Sequence, residues 1–456
     1  MESINQYDII VIGSGIAGHA LARRASLKKR VLIIEGGDTA EKEENHQLTL
    51  NDEYGHFSNN HWSSHWVRAY GGTSRRWNGW MATLDKRDFE GSALLPKWPI
   101  HQRDLLNYYK EAAVFLGRSD TIATEYPVTL PGDVICYKPF SRGEPLRLTE
   151  IEKHANITVW VNTNVIRLDS QTRTTISGIW IHDKANGETL LEISPRQQIV
   201  LACGGLGNAQ ILLQPTATSK IPVGNESGLV GKYLMEHPHA KCADLYVDRE
   251  LHDKITQRFG AFIPAYIVSD KIYYDESLLA CSISIENVDP KRDCLSDMQQ
   301  YFEDKFHKKL VKAIGYARSE QEPQKMNFVE IIGEKNWAGL YRLRTQCALS
   351  ARDFWSIDKT TRIFAEYLNA YQLGVAKIDN ESIYWKPHGG GHTMGTTRMG
   401  FSQNDSVCDS NCRVHSYNNL YLAGSSVFTT GGASQPTFTI AALAMRLSDH
   451  LTKTSP

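Results

Sequence analysis

Tyr7-Asp8-Ile9-Ile10-Val11-Ile12, followed at once by Gly13-Ser14-Gly15-Ile16-Ala17-Gly18, is the stretch whose reading decides the fold. Tyr7 to Ile12 is a short β-rich apolar run. Ala20 to Leu27 has helical composition, and Val31 to Ile34 is a second apolar run. Strand, glycine turn, helix and strand make a βαβ opening. Gly13, Gly15 and Gly18 keep the G-x-G-x-x-G spacing. Gly13 permits the tight turn, Gly15 lets backbone approach a pyrophosphate, and Gly18 lets helix and sheet touch, while the helix N-terminus supplies partial positive charge; Ile16 and Ala17 within the motif are expected to contact the cofactor as well. Glu35 ends the second run, where a carboxylate can accept hydrogen bonds from an adenosine ribose. The motif alone does not separate NAD from FAD.

Two similar units lie far downstream. Ile199-Val200-Leu201-Ala202-Cys203-Gly204-Gly205 reads as a strand ending in glycine, with a helix over Asn208 to Leu213. Leu420 to Ala423 reads as a third strand, ending in Gly424, Ser425 and Ser426; beyond Gly431 and Gly432, Pro436 opens an apolar helix to about Leu451. A domain built on all three units must be assembled from non-contiguous segments, 1–230 and 389–456. Residues 231–388 are assigned to a substrate-binding domain, with strands over Ala261–Val268 and Leu278–Ile285 and helices over Ser296–Ala317 and Thr360–Leu373. Thr149 to Gln198, with the alternating Ile157 to Val161 and the run Ile176 to Ile181, reads as an inserted β-meander. The expected class is α/β: a Rossmann-like domain from separated segments plus an α+β domain with an antiparallel sheet.

Composition excludes several functions. Fifty Lys and Arg against 51 Asp and Glu give a formal charge of −1, so no global field draws the 456-residue chain to nucleic acid or an anionic membrane. The longest apolar runs fall well short of the roughly 20 residues that span a bilayer, and the first residues lack a signal-peptide pattern, so a cytoplasmic protein with no membrane partner is expected. The basic run Lys305, His307, Lys308, Lys309 and Lys312 reads as a solvated helix face. Eight cysteines without C-x-x-C spacing read as reduced, buried thiols, with Cys408 and Cys412 the one close pair.

The arrangement resembles the glucose-methanol-choline (GMC) oxidoreductase family, on several separated blocks. Gly71-Gly72-Thr73-Ser74 with Trp77-Asn78-Gly79 is similar to the family's loop beside the flavin ring, and Trp98-Pro99-Ile100 to the segment after that loop in the sugar- and aminocyclitol-oxidising branch. Gly231 to Pro238 is similar to the entry to its substrate domain. His392-Thr393-Met394-Gly395-Thr396 and Asn419 to Leu447 are the most specific blocks. The resemblance implies FAD, bound beside Cys203, Gly204, Gly424, Ser425, Pro436 and Thr437, with Val165 at the adenine. The family's covalent flavin histidine is matched by Arg76, which implies dissociable FAD. The implied reaction oxidises an alcohol of a sugar, aminocyclitol or glycosylated natural product by hydride transfer to flavin N5. Oxygen or another carrier would take the electrons onward; the oligomeric state is left open, and non-oxidative chemistry on the same scaffold is the alternative.

His392 stands at the family's catalytic histidine, and imidazole suits removal of a hydroxyl proton near neutral pH. Gln435 replaces the family's second catalytic Asn or His: its amide can orient a hydroxyl but cannot ionise. His388 and His392 show H-x-x-x-H spacing, but Gly389 to Gly391 between them argue against a helical metal pair. Trp62, Trp66, Trp77 and Trp80 read as packing under the flavin loop before sugar stacking. Between about Glu330 and Arg352 a segment that lines the substrate side in the sugar branch is shortened, which implies a pocket that is more open, shaped by oligomer contacts, or adapted to a larger or tethered substrate.

Overall fold

The computed structural model describes residues 3–117, 128–142, 146, 148, 154–184, 186–216, 221–250, 262–289 and 297–453. Residues 149–153, Ala261, Cys294 and Ser296, which figure in the sequence reading, lie outside them. β1 (Ile9–Ile12) is central in a five-stranded parallel sheet. One flank carries β2 (Val31–Ile34) and then Ile157–Trp160; the other carries Gln198–Leu201 and then Leu420–Leu422. Ile10 pairs with Leu32 on one side and Ile199 on the other. All eight residues of β1 and β2 are buried, as strands covered on both faces require.

The helix α1 (Ile16–Ala25) covers one face and packs on the C-terminal helix Pro436–Lys453, where Arg24 Nε meets Asp449 Oδ1 at 2.5 Å. That pair tethers two helices from opposite ends of the sequence.

Ile157–Trp160 corrects the meander reading. It pairs in parallel with β2, and the antiparallel meander consists of Asn164–Asp169, Gly178–Asp183 and Gly187–Glu192. An edge strand has one neighbour and one partly wet flank, so all four of its residues are half-buried and the alternating pattern misleads.

A nine-stranded sheet forms the second layer. Its main path runs through Gly374–Ile378, Pro238–Asp248, Leu310–Ser319, Cys281–Asp289, Phe262–Val268, Ile135–Arg142 and Trp80–Met81, with antiparallel pairing throughout. Two of these strands come from within 1–230, so a cut at residue 230 does not separate the two sheets. The hairpin Phe328–Lys335 and Tyr341–Cys347 pairs in parallel with Asn51–Gly55.

The helix expected over Ser296–Ala317 ends at Phe306; His307 takes φ +54°, and Leu310–Ser319 is a strand. Val311, Ala313 and Ala317 are buried and alternate with half-buried Lys312, Ile314 and Tyr316, a period of two that the small residues concealed. The basic run is therefore spread over a helix end, a turn and a strand. The helix expected from Thr360 begins at Ala351 and runs to Ala370. Ser350 caps it: its Oγ accepts the backbone N–H groups of Arg352 and Asp353 at 3.1 and 3.2 Å, and the Asp353 carboxylate accepts Ser350 N–H at 2.6 Å. Ser350→Ala is expected to lower stability by about 1 kcal/mol, read as an earlier thermal transition; an unchanged melt would remove this cap from the account.

Among the described residues no helix is long and apolar enough to cross a membrane. Cys408 and Cys412 are free and buried.

Candidate active site

The first βα turn, the turn after Gln198–Leu201 and the turn after Leu420–Leu422 open at the same end of the parallel sheet, and a cavity of about 380 Å3 lies against them. This is where an open parallel sheet offers a crevice. Its glycines divide by geometry. Gly13 takes φ +104°, and a Cβ there would lie 2.6 Å from the Ala202 carbonyl oxygen. A Cβ at Gly18 would lie 2.1 Å from the Gly13 carbonyl oxygen. Gly15, by contrast, caps α1 on the cavity wall with nothing within 4 Å of its would-be Cβ, and Gly204 is equally open.

Ser14 ties the turn together. Its N–H and Oγ–H donate to Glu35 Oε2 at 3.0 and 2.6 Å, and its Oγ accepts Gly71 N–H at 2.9 Å. Gly37 N–H holds the other Glu35 oxygen at 2.7 Å. Beside it Arg68 donates Nη2–H to Asn164 Oδ1 at 2.7 Å, while its buried Nε has no partner among the described residues. A carboxylate fixed by amides, an open glycine backbone, a helix N-terminus and an unsatisfied guanidinium N–H fit the ribose and phosphates of a dinucleotide.

The sequence candidates converge on this cavity. Ile16, Ala17, Glu35, Val165, Cys203 and Gly204 line it with Gly13 and Gly15. Gly72, Thr73, Ser74, Trp77 and Asn78 line it too, as do Gly424, Ser425, Gln435, Pro436 and Thr437. Gly18 and Gly79 do not line it: Gly18 serves the helix contact, and Gly79 a turn at φ +79°. Burial pushes the Cys203 thiol up to about 12, so it lines the cavity protonated. Trp62, fully buried, lines the cavity together with the less buried Trp66, Trp77 and Trp80. Arg76 also lines it and donates Nη1–H to Glu41 Oε1 at 3.0 Å.

His392 lines the same cavity amid residues that the sequence did not mark. Glu236 is fully buried and accepts the backbone N–H groups of His237, Gly391 and His392 and a ring N–H from His61 at 2.7 Å. Burial alone would raise this carboxyl; the His61 hydrogen bond and the electrostatic pull of the neighbouring imidazoles instead hold it down to about 2. His237 Nδ1 lies 2.9 Å from His392 Nδ1, and His237 Nε2 lies 2.8 Å from the Gly432 carbonyl oxygen. Burial first, and then the neighbouring His237 ring, push His392 down to about 3, so it is neutral at neutral pH and carries a nitrogen lone pair. His239 and Arg318, paired across adjacent strands, complete the wall, and burial pushes His239 well down. Glu236 and His237 occur in the Gly231–Pro238 block. Acidic residue and histidine side by side were the available signal, but their partner is 155 positions away.

The turn before Gln435 is clamped from behind. Lys138 Nζ reaches Ser434 Oγ at 2.7 Å and Asp85 Oδ2 at 2.9 Å, and Glu320 Oε1 accepts Gly432 N–H at 2.9 Å. Burial, reinforced by Asp88, raises the Glu320 carboxyl to about 8. Gln435 thus leaves a rigid turn directly at the first residue of the helix Pro436–Lys453.

Residues 323–444, which include His392 and Gln435, match a family model described as GMC oxidoreductase. The chain is 27% identical over 328 residues to the 2-methyl-1,2-propanediol dehydrogenase of Mycolicibacterium austroafricanum, a match covering 65% of this chain and 56% of that protein. The match thus spans little more than half the length of that curated relative. The pyridoxine 4-oxidase of Mesorbium loti superposes with TM-score 0.59 at 16% identity, over 97% of this chain and 98% of that one. A variant of the formate oxidase of Aspergillus oryzae RIB40, studied for FAD modification, superposes with TM-score 0.62 at 12% identity, over 98% of each chain. These two likenesses are of fold. The C-terminal motif block is thus similar to the GMC oxidoreductase family model, and the sequence relative and the whole-length architecture agree with that likeness.

Proposed function

We propose that the protein is an FAD-dependent oxidoreductase acting on a CH–OH group of a sugar, aminocyclitol or glycosylated natural product. The observation that carries this reading is that His392 and Gln435 line the same cavity as Gly15 and Glu35. A group that accepts a proton therefore shares one space with a dinucleotide cradle. The 27% identical diol dehydrogenase supports an alcohol as substrate.

In this reading Gly15, Gly204 and the first turn of α1 receive the phosphates, Glu35 the ribose and Val165 the adenine side. Gly72 to Ser74, Trp77, Asn78, Gly424, Ser425, Pro436 and Thr437 line the place of the ring. When bound, FAD supplies the acceptor for the hydride leaving the carbinol carbon. His392 takes the hydroxyl proton on an imidazole nitrogen. Gln435 holds the hydroxyl by its amide and, being unable to ionise, leaves the proton to His392. Trp66, Trp77 and Trp80 present apolar faces that exclude water and stack on the non-polar face of a sugar ring. Arg76, engaged with Glu41, makes no covalent flavin link.

The test is an anaerobic visible spectrum of the FAD-loaded protein, titrated with sugars, aminocyclitols and simple diols. One class is expected to bleach the oxidised-flavin band. A band that no alcohol changes would overturn alcohol oxidation and favour non-oxidative chemistry at Gln435.

A further inference from the structure

We infer that His237 is a positioning residue that presets His392 as the Nδ1–H tautomer, so that Nε2 is the nitrogen that accepts the substrate proton, with Glu236 as the buried anion that balances the charge then formed. The inference rests on the reading of His392 as the base in alcohol oxidation and specifies which of its atoms acts and why.

The assignment follows from donors and acceptors. The Gly432 carbonyl can only accept, so His237 Nε2, 2.8 Å away, carries a hydrogen. The Gly431 carbonyl, at 3.3 Å from the same nitrogen, requires the same. His237 is 3% exposed, and burial lowers its affinity for a second proton; it is neutral, and its Nδ1 presents a lone pair. His392 Nδ1, 2.9 Å from that lone pair, must then be the donor. His392 Nε2 is left unprotonated on a ring that lines the cavity. The other tautomer would set two lone pairs against each other in a buried site.

The backbone completes the device. Glu236 accepts His392 N–H at 2.8 Å and Gly391 N–H at 3.0 Å, which fixes the start of the His392 side chain, while His237 fixes its ring. Transfer of the hydroxyl proton to Nε2 makes His392 an imidazolium, which still donates Nδ1–H to neutral His237. The new positive charge then faces the fully buried Glu236 carboxylate. Arg318, His61, His65, His239 and His388 surround this pair. Glu236 is the anion among them, so its removal would leave the imidazolium uncompensated.

The test uses the FAD-loaded protein with 15N-labelled histidine. Long-range 15N–1H spectra, with His392 assigned by its loss in His392→Gln, report the tautomer directly. The wild type is expected to show Nδ1–H at His392 at pH 7. His237→Leu, which removes the acceptor, is expected to lose that preference and to slow substrate-driven flavin reduction about 10- to 100-fold. His237→Asn, whose Oδ1 takes the place of imidazole Nδ1 as acceptor, is expected to keep the tautomer and restore most of the rate. An Nε2–H tautomer in the wild type overturns the inference, even where the Leu variant fails to fold; so do Leu and Asn variants with equal rates. Should no alcohol reduce the flavin, the functional reading fails, and the tautomer measurement still decides the geometry on its own.

Discussion

His392→Ala is expected to slow flavin reduction by the alcohol by about 10^2- to 10^4-fold, the range for loss of a positioned general base, while FAD absorbance at saturation stays as in the wild type. The separation is expected because the loop does not depend on the imidazole for its place. Glu236 holds the backbone N–H groups of Gly391 and His392, and Ser425 Oγ–H donates to the Thr393 carbonyl at 2.6 Å; all of these survive the substitution. Stopped-flow reduction under anaerobic conditions reads the rate. A variant that reduces its flavin within tenfold of the wild type would remove His392 from the chemistry.

Gly15→Ala and Gly18→Ala separate binding from folding. At Gly15 the backbone has φ −69° and ψ −174°, which any residue adopts, and nothing in the protein meets a Cβ there. The ligand-free variant is expected to melt like the wild type. The methyl group would nevertheless stand where a pyrophosphate approaches the backbone, and FAD affinity is expected to fall by about 100-fold or more, or roughly 2.7 kcal/mol. Gly18→Ala would drive its Cβ to 2.1 Å from the Gly13 carbonyl oxygen, backbone against backbone, and is expected to cost the fold itself. Fluorescence titration of deflavinated protein with FAD, alongside thermal melts, reads both. Wild-type affinity in Gly15→Ala would mean that the dinucleotide does not pass this turn.

The parallel sheet was legible because its strands are short apolar runs, each followed by a glycine turn, and this signal is local. Ile157–Trp160 misled because an edge strand of a parallel sheet alternates like a hairpin strand. Leu310–Ser319 misled because Ala313 and Ala317 suit a helix as well as a crowded sheet centre, and what settles the matter is pairing with Pro238–Asp248 and Cys281–Asp289. His392 and Gln435 could be read from a motif. Their setting could not: the importance of Glu236 and His237 lies in contacts with His61, Gly391, His392 and Gly432, and no spacing within eight residues encodes a partner more than 150 away.

The order of the parallel sheet has a consequence for how the molecule is made. Gln198–Leu201 waits for Leu420–Leu422 to complete its outer neighbour, and Arg24 waits for Asp449, so the first helix emerges from the ribosome more than four hundred residues before its partner exists. Closing such distant contacts is entropically slow. During synthesis the apolar face of α1 is bare, and a chain stopped before the last helix would keep it bare. For this architecture the helix Pro436–Lys453 acts as the latch on α1.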